Sequence, residues 1–304
     1  MSNEKVLVSV VIPTHRRTVE YISKAVESAI NQTYPNVEIV VVDDSTSAYE
    51  KRNETEAYFA SLNKENIIYI QNEENLGGSL TRNRGIEAAH GDYITFLDDD
   101  DEYLPEKIER QLNFMLENDY DLTFTALAIY SPEGTMVDYR EHSAIKSFDN
   151  DYLFRYHMMR HATGTPTFMF KAEKLREIGG FDKVKVGQEF HLMLKAILGN
   201  LKIGYIPECY VKAYRHPDGG ISGGTNKIIG EKELFKFKQQ FFPQLTKQEV
   251  RFIKFRHHAV LAAGYKRNKM YGKMFIEAVR TILTSPIDFV REIFSFAKKI
   301  LSHR

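Results

Sequence analysis

YITFLDDDD, residues 93–101, is an apolar strand-like run that ends in four consecutive aspartates. Its first five residues have the β-branched and aromatic character of a strand buried on both faces. Four carboxylates at one strand end repel one another unless a cation sits among them. A hard divalent ion takes oxygen ligands and commonly shares one or two protein carboxylates with substrate phosphates. Alternation along an extended chain sends Asp98 and Asp100 one way and Asp99 and Asp101 the other. The plainer alternative is an acidic cap in front of a helix, because aspartate is favoured near helix N-termini.

Upstream, residues 5–12 form a similar apolar run that stops at Pro13, residues 37–42 form another that ends in Asp43-Asp44-Ser45, and residues 67–70 form a shorter one. Ile22, Ala25, Val26, Ala29 and Ile30 recur at helical spacing up to Tyr34-Pro35, and residues 80–89 form a second helix after Gly77-Gly78. This alternation predicts an α/β fold with a mainly parallel sheet covered on both faces by helices. Ligands in such sheets sit outside the carboxyl ends of the strands. The loops there carry Pro13-Thr14-His15-Arg16, Asp43-Asp44-Ser45 and the aspartate run.

Downstream, Pro105 opens a helix reaching about Leu116, residues 122–130 form a strand, and helices follow near 153–159 and 190–198. Two further strands are expected at 203–206 and 209–214. Beyond about Ile228 the pattern is helical. The expected division is an α/β domain over 1–227, with halves of about 1–104 and 105–227, and a helical region over 228–304.

Hydrophobic residues make up 43% of the 304-residue chain, enough for a sizeable core. The single cysteine, Cys209, excludes an internal disulfide and a multi-cysteine zinc site. No basic leader precedes the first strand, and charges interrupt every apolar stretch short of the roughly 20 residues a membrane span needs. A cytoplasmic location is therefore expected. Residues 251–304 hold 12 Lys/Arg against 3 Asp/Glu, whereas the rest of the chain holds 29 against 38. The basic tail points to an anionic surface. Within it Ile287, Val290, Ile293, Phe294, Ala297, Ile300 and Leu301 recur at helical spacing beside Arg291, Lys298 and Lys299. Such a helix lies on the inner face of a membrane, or packs against a core or a second copy of the chain.

Asp43-Asp44-Ser45 is ordinary turn chemistry, or a carboxylate for a uracil imide or ribose hydroxyls. Arg82-Asn83-Arg84-Gly85 opens a helix, where arginines and unpaired backbone N–H groups meet a phosphate or simply face water.

Taken in order, Val10-Val11-Ile12-Pro13-Thr14, Val41-Val42-Asp43-Asp44-Ser45, Asn75-Leu76-Gly77, Arg82-Asn83-Arg84-Gly85-Ile86 and Phe96-Leu97-Asp98-Asp99-Asp100-Asp101 resemble the nucleotide-binding half of glycosyltransferase family 2. Ile178-Gly179-Gly180-Phe181-Asp182 and Gln188-Glu189-Phe190-His191-Leu192 resemble the family's acceptor-side signature, so the resemblance spans roughly residues 5–220. It implies a GT-A fold and a nucleotide-diphosphate sugar donor, most often a UDP-sugar. By position, Pro13, Thr14, Arg16, Asp44, Asn75 and Arg82 would hold the nucleotide, with Asp98 and Asp99 beside it. Asp98 and Asp100 would take the family's Asp-any-Asp role on Mn²⁺ or Mg²⁺, with Asp100 the better candidate for direct contact. His216, ahead of the glycine-rich residues 218–224, is a third candidate ligand. Glu189 would be the catalytic base of an inverting transfer; without the resemblance it is an acid at a helix N-terminus.

The chain departs from the family in three places. Arg16 stands where Asn is frequent, Glu189 stands where Asp is frequent, and no tryptophan is present. Without Trp the Gln-any-any-Arg-Trp motif of processive synthases is missing, so transfer of one hexosyl or N-acetylhexosaminyl unit to a glycan or lipid-linked acceptor is expected. No nucleic acid is expected as a partner. The competing expectations are a nucleotidyltransferase and a non-catalytic nucleotide-sugar-binding protein.

Overall fold

The computed structural model describes residues 6–162, 164–215 and 225–302, with side chains as far as 294. Two compact units emerge, one of Met1–Phe154 with Ala162–Pro217 and the other of Arg155–His161 with Asp218–Arg304.

The first unit begins with strand β1 (Val8–Thr14), helix α1 (Val19–Ile30), β2 (Val37–Asp43), α2 (Arg52–Leu62), β3 (Ile67–Gln71), α3 (Gly78–Ala88) and β4 (Tyr93–Phe96). These strands pair in parallel in the order β3-β2-β1-β4. Their register sets Thr14 beside Asp43 and Val11 beside Phe96, so the three polar loops expected at the strand ends share one edge. Strand β1 runs through Pro13 instead of stopping there. Leu97 N donates to Val11 O and Asp44 N donates to Thr14 O, so odd residues of β1 face β4 and even residues face β2. Pro13 thus turns its donorless nitrogen toward β4, whose pairing with β1 has already ended at Phe96. Helix α2 has no strong apolar stripe, since only Thr55 and Phe59 are buried.

The remainder of the unit holds β5 (Glu102–Tyr103), α4 (Lys107–Asn118), β6 (Leu122–Tyr130), β7 (Met136–Arg140), the start of α5 (Asn150–Arg160), β8 (Met169–Lys171), α6 (Ala172–Glu177), α7 (Gln188–Leu198) and β9 (Ile203–Tyr214). Strand β8 enters antiparallel between β4 and β6, so the sheet is mixed. The two strands expected at 203–206 and 209–214 are one. Thr125 pairs with Ile206 and Ala126 with Cys209, leaving Pro207 and Glu208 as an insertion that bends β9 without ending it. The core lies against β1, β2 and β4, where Val10, Ile12, Ile39, Val41 and Leu97 are fully buried with Ile22 and Val26 of α1.

The second unit contains the end of α5 with α8 (Asn226–Gln239), α9 (Lys247–Arg267), α10 (Tyr271–Thr284) and α11 (Pro286–Ser302). A capping box of Thr246 and Glu249 starts α9. Arg155 is held 3.0 Å from Glu249, and Arg160 covers the Phe252 ring. No helix among the described residues is long and apolar enough to cross a membrane.

Gly85 sets how closely α3 approaches β1, because a Cβ there would lie 2.3 Å from Val11 Cγ1. Val is stiff at χ1 and Val11 is fully buried, so neither side yields cheaply. Gly85→Ala is expected to lower unfolding free energy by about 2 kcal/mol in urea denaturation, as overpacking does. A change below about 0.5 kcal/mol would show that the contact relaxes freely.

Candidate active site

The aspartates lie in a turn beyond β4, with Asp101 N donating to Asp98 O at 3.1 Å. Strand alternation is therefore not what divides them. The turn does, and it buries Asp99 and Asp101 while leaving the Asp98 and Asp100 side chains 34% and 20% exposed. Asp99 Oδ2 accepts from Thr14 Oγ1 at 2.7 Å, and Asp101 Oδ1 accepts from Tyr214 N at 2.9 Å. Burial pushes Asp99 up to about 6 against the pull of Arg17. Burial, then Asp98 and Asp100, push Asp101 well above the carboxylate range.

Positive charge comes from two arginines of the chain itself. Arg17 Nε meets Asp99 Oδ1 at 3.2 Å and Arg17 Nη2 meets Asp100 Oδ2 at 2.5 Å. Burial disfavours the Arg17 charge, but Asp99 and Asp100 outweigh it and raise its pKa. Arg82 Nη2 pairs with Asp98 Oδ1 while Nη1 donates to Gln188 Oε1 at 2.8 Å. Arg82 lies in the second turn of α3, which starts at Gly78, so it does not open the helix as the sequence suggested.

Each residue of Arg82-Asn83-Arg84-Gly85 has its own partner. Asn83 exchanges two hydrogen bonds with the Phe181 backbone, at 2.8 and 2.7 Å, and so anchors Gly179-Gly180-Phe181-Asp182. Gly180 has φ +57°, and a Cβ on it would meet Asn83 Oδ1 at 2.6 Å. Arg84 Nη1 donates to Asn72 Oδ1 at 2.6 Å, and Gly85 lies against Val11.

Asp44, also buried, accepts from Asn72 Nδ2 at 2.7 Å and from the Leu76 and Gly77 amides at 2.8 Å each. It thereby holds the loop carrying Asn75, whose exposed amide lies 3.2 Å from His15 Nε2. Arg16 has φ +51° and donates its amide to the Ser45 hydroxyl at 2.8 Å. Asn visits that left-handed conformation more readily than other non-glycine residues, which is why Asn suits this position. Pro13 is half-buried in β1.

Glu189 sits in the first turn of α7 next to Gln188, half-exposed, and makes no hydrogen bond or ion pair with a described residue. Its oxygens are thus uncommitted among the described residues. Thr14, Asp98, Asp99, Asp100 and Arg82 come together, and Gln188 brings Glu189 to them in sequence. Arg16 and Asn75 lie exposed on the adjoining rim, beside buried Asp44. His216 lies outside the described residues.

Sequence reasoning missed Arg17 and Gln188. The left-handed turn at Arg16 is what lets the next residue reach back, and spacing gives no sign of it. Gln188 was visible only as part of the acceptor-side signature.

The donor set indicates what cation suits the turn. Asp98 and Asp100 offer hard carboxylate oxygens, and no group of three or more His, Cys, Asp or Glu among the described residues forms a ligand cage. A pair of carboxylates fits a cation of the Mg²⁺ type that completes its shell with phosphate oxygens and water.

A family model described as glycosyl transferase family 2 matches residues 9–179. An uncharacterized glycosyltransferase of Methanocaldococcus jannaschii is 30% identical over 71% of this chain and 72% of its own. A putative teichuronic acid biosynthesis glycosyltransferase of Bacillus subtilis, TuaG, is 36% identical over 45% of this chain and 53% of its own. Among solved structures, S. aureus TarS 1–349 in complex with UDP-GlcNAc superposes with a TM-score of 0.57 at 18% identity, covering 91% of this chain and 89% of that one. That likeness establishes a shared GT-A fold.

Arg82→Lys keeps a charge for Asp98 but cannot also reach Gln188 in a fork. The variant is expected to stay folded and to lose at least about tenfold in kcat/KM in any transfer or hydrolysis assay. Parent-like activity would show that the bridge to α7 is dispensable.

Proposed function

Because the chain belongs to glycosyltransferase family 2, we propose that it moves one sugar from a UDP-sugar to a hydroxyl of a glycan or lipid-linked acceptor, with inversion at the anomeric carbon. The observation that carries this reading is the Arg82 bridge. One guanidinium ties Asp98, on the side expected to face the diphosphate, to Gln188 next to Glu189. A base and a leaving-group site on opposite sides of one sugar are what single displacement requires.

A sugar hydroxyl is a poor nucleophile at neutral pH, so a carboxylate within hydrogen-bond reach must take its proton as it attacks. Glu189 takes that proton. The bond from the anomeric carbon to the diphosphate oxygen breaks as the new glycosidic bond forms on the opposite face. Arg82 orients Asp98, and Arg17 does the same for Asp100. A Mn²⁺ or Mg²⁺ ion held by Asp98 and Asp100 would neutralise charge on the departing diphosphate. Thr14, Pro13 and Asp44, with Arg16 and Asn75 on the rim, hold the nucleoside.

The donor class draws support from the TarS structures with UDP-GlcNAc and with UDP. The acceptor class draws support from relatives named for teichuronic acid, colanic acid and minor teichoic acid biosynthesis. We therefore place this enzyme in surface-polysaccharide assembly. Helices α10 and α11 add a reason for peripheral attachment at the inner face of a membrane. Phe275, Leu283, Ile287 and Phe294 are exposed there, while the acids Glu277 and Asp288 are buried. The exposed charge nearby is mainly basic, which suits anionic lipid and opposes face-to-face pairing of two copies.

Glu189→Gln is expected to lower kcat by at least about a hundredfold while UDP binding, measured by calorimetry, stays within about threefold. Chelation by EDTA should stop transfer and added Mn²⁺ should restore it. Unchanged turnover in the variant counts against Glu189 as the base, and silence of UDP and every other nucleotide in calorimetry counts against the donor class.

For the membrane contact, Phe275→Asp/Leu283→Asp is expected to abolish co-sedimentation with phosphatidylglycerol vesicles that retain the parent protein. Equal retention of both proteins would remove lipid as the occupant of that face.

A further inference from the structure

The second unit has an open pocket of about 400 Å³ among α8, α9 and α10, well apart in sequence from the residues of the candidate active site. Lys232 from α8 and Lys273 from α10 line it, and the Nζ of each lies 5.9 Å from the centre of the Tyr265 ring of α9. Neither ammonium makes an ion pair or hydrogen bond with a described residue. Arg280 adds a third cation to the lining. The pocket's one carboxylate, Glu277, is buried and already committed, to His258 Nδ1 at 2.6 Å and to Arg280 Nη1 at 2.8 Å. Glu277 thus balances Arg280 and leaves both lysines uncompensated.

Beyond the Tyr265 ring itself, the pocket gives these two exposed lysines no counter-charge. A dianion would supply it. A phosphomonoester carries about −1.5 to −2 charges at neutral pH and presents three acceptor oxygens. The pocket is of small-ligand size, and Leu261 and Ile276 give it an apolar side for a carbon skeleton. We propose that this pocket binds a phosphomonoester, with Lys232, Lys273 and Arg280 holding the phosphate beside Tyr265. The proposal does not rest on the donor or acceptor assigned to the first unit.

The same group occurs on soluble phosphorylated sugars or polyols and on a lipid headgroup. Two probes separate these sources: calorimetric titration with glycerol 3-phosphate, and co-sedimentation with phosphatidylcholine vesicles containing phosphatidic acid. Both are run on the full chain and on Lys232→Ala/Lys273→Ala, whose side chains are exposed and whose thermal melt should match the parent. Lys266→Ala/Lys269→Ala, also exposed, removes the same charge elsewhere. The expected result is binding of at least one probe, weakened at least about tenfold by the pocket pair and little by the control pair. Binding of the soluble probe assigns a free phosphoester, and binding to vesicles alone assigns a headgroup. Binding of neither probe, or equal weakening by both variant pairs, overturns the proposal.

Discussion

Four carboxylates confined to one turn must have their repulsion relieved, and much of the first unit is arranged around how that is done. Asp99 and Asp101 are withdrawn from water and given hydrogen-bond donors, from Thr14 and the Tyr214 backbone. Asp98 and Asp100 stay near the surface and are each held by an arginine. The buried pair makes the turn rigid at the expense of raised pKa values, and the outer pair remains partly exposed. Neighbouring residues of one type have been separated by environment alone.

Helix α3 transmits this arrangement to the rest of the site. Arg82, Asn83, Arg84 and Gly85 project to the aspartate turn, the Phe181 loop, Asn72 and Val11 in turn. Four successive residues of a helix point about 100° apart, so they can reach four different neighbours only from the centre of the assembly. The close seat of Gly85 on β1 fixes the axis from which the other three reach. The Phe181 loop and α7 are therefore located by reference to the same helix as the aspartates.

Most of the parallel half of the sheet was legible because β1, β2 and β4 are buried on both faces and show as nearly continuous apolar runs, as in residues 39–42. Strand β6 was legible for the same reason. Helix α2 has too few buried residues to display a period, and β8 is only three residues long. The bend in β9 looked like an end because Pro207 normally punctuates a strand. In the site, the identities of Thr14, Asp98, Asp100 and Arg82 could be taken from motif order. Their pairings could not, since Arg17 depends on the backbone sign at Arg16 and Gln188 on a contact 106 residues distant.

Thr14 carries a consequence for how such a site changes over time. Its carbonyl accepts the Asp44 amide and its hydroxyl donates to Asp99, so one residue joins the loop held by Asp44 to the aspartate turn. Neither side can drift without moving the other. Variation is left to the side chains that hang from this frame into solvent, among them His15, Arg16 and Asn75. Diversification at this edge would then proceed by exchanging rim residues on a fixed chassis, with the frame itself under the tighter restraint.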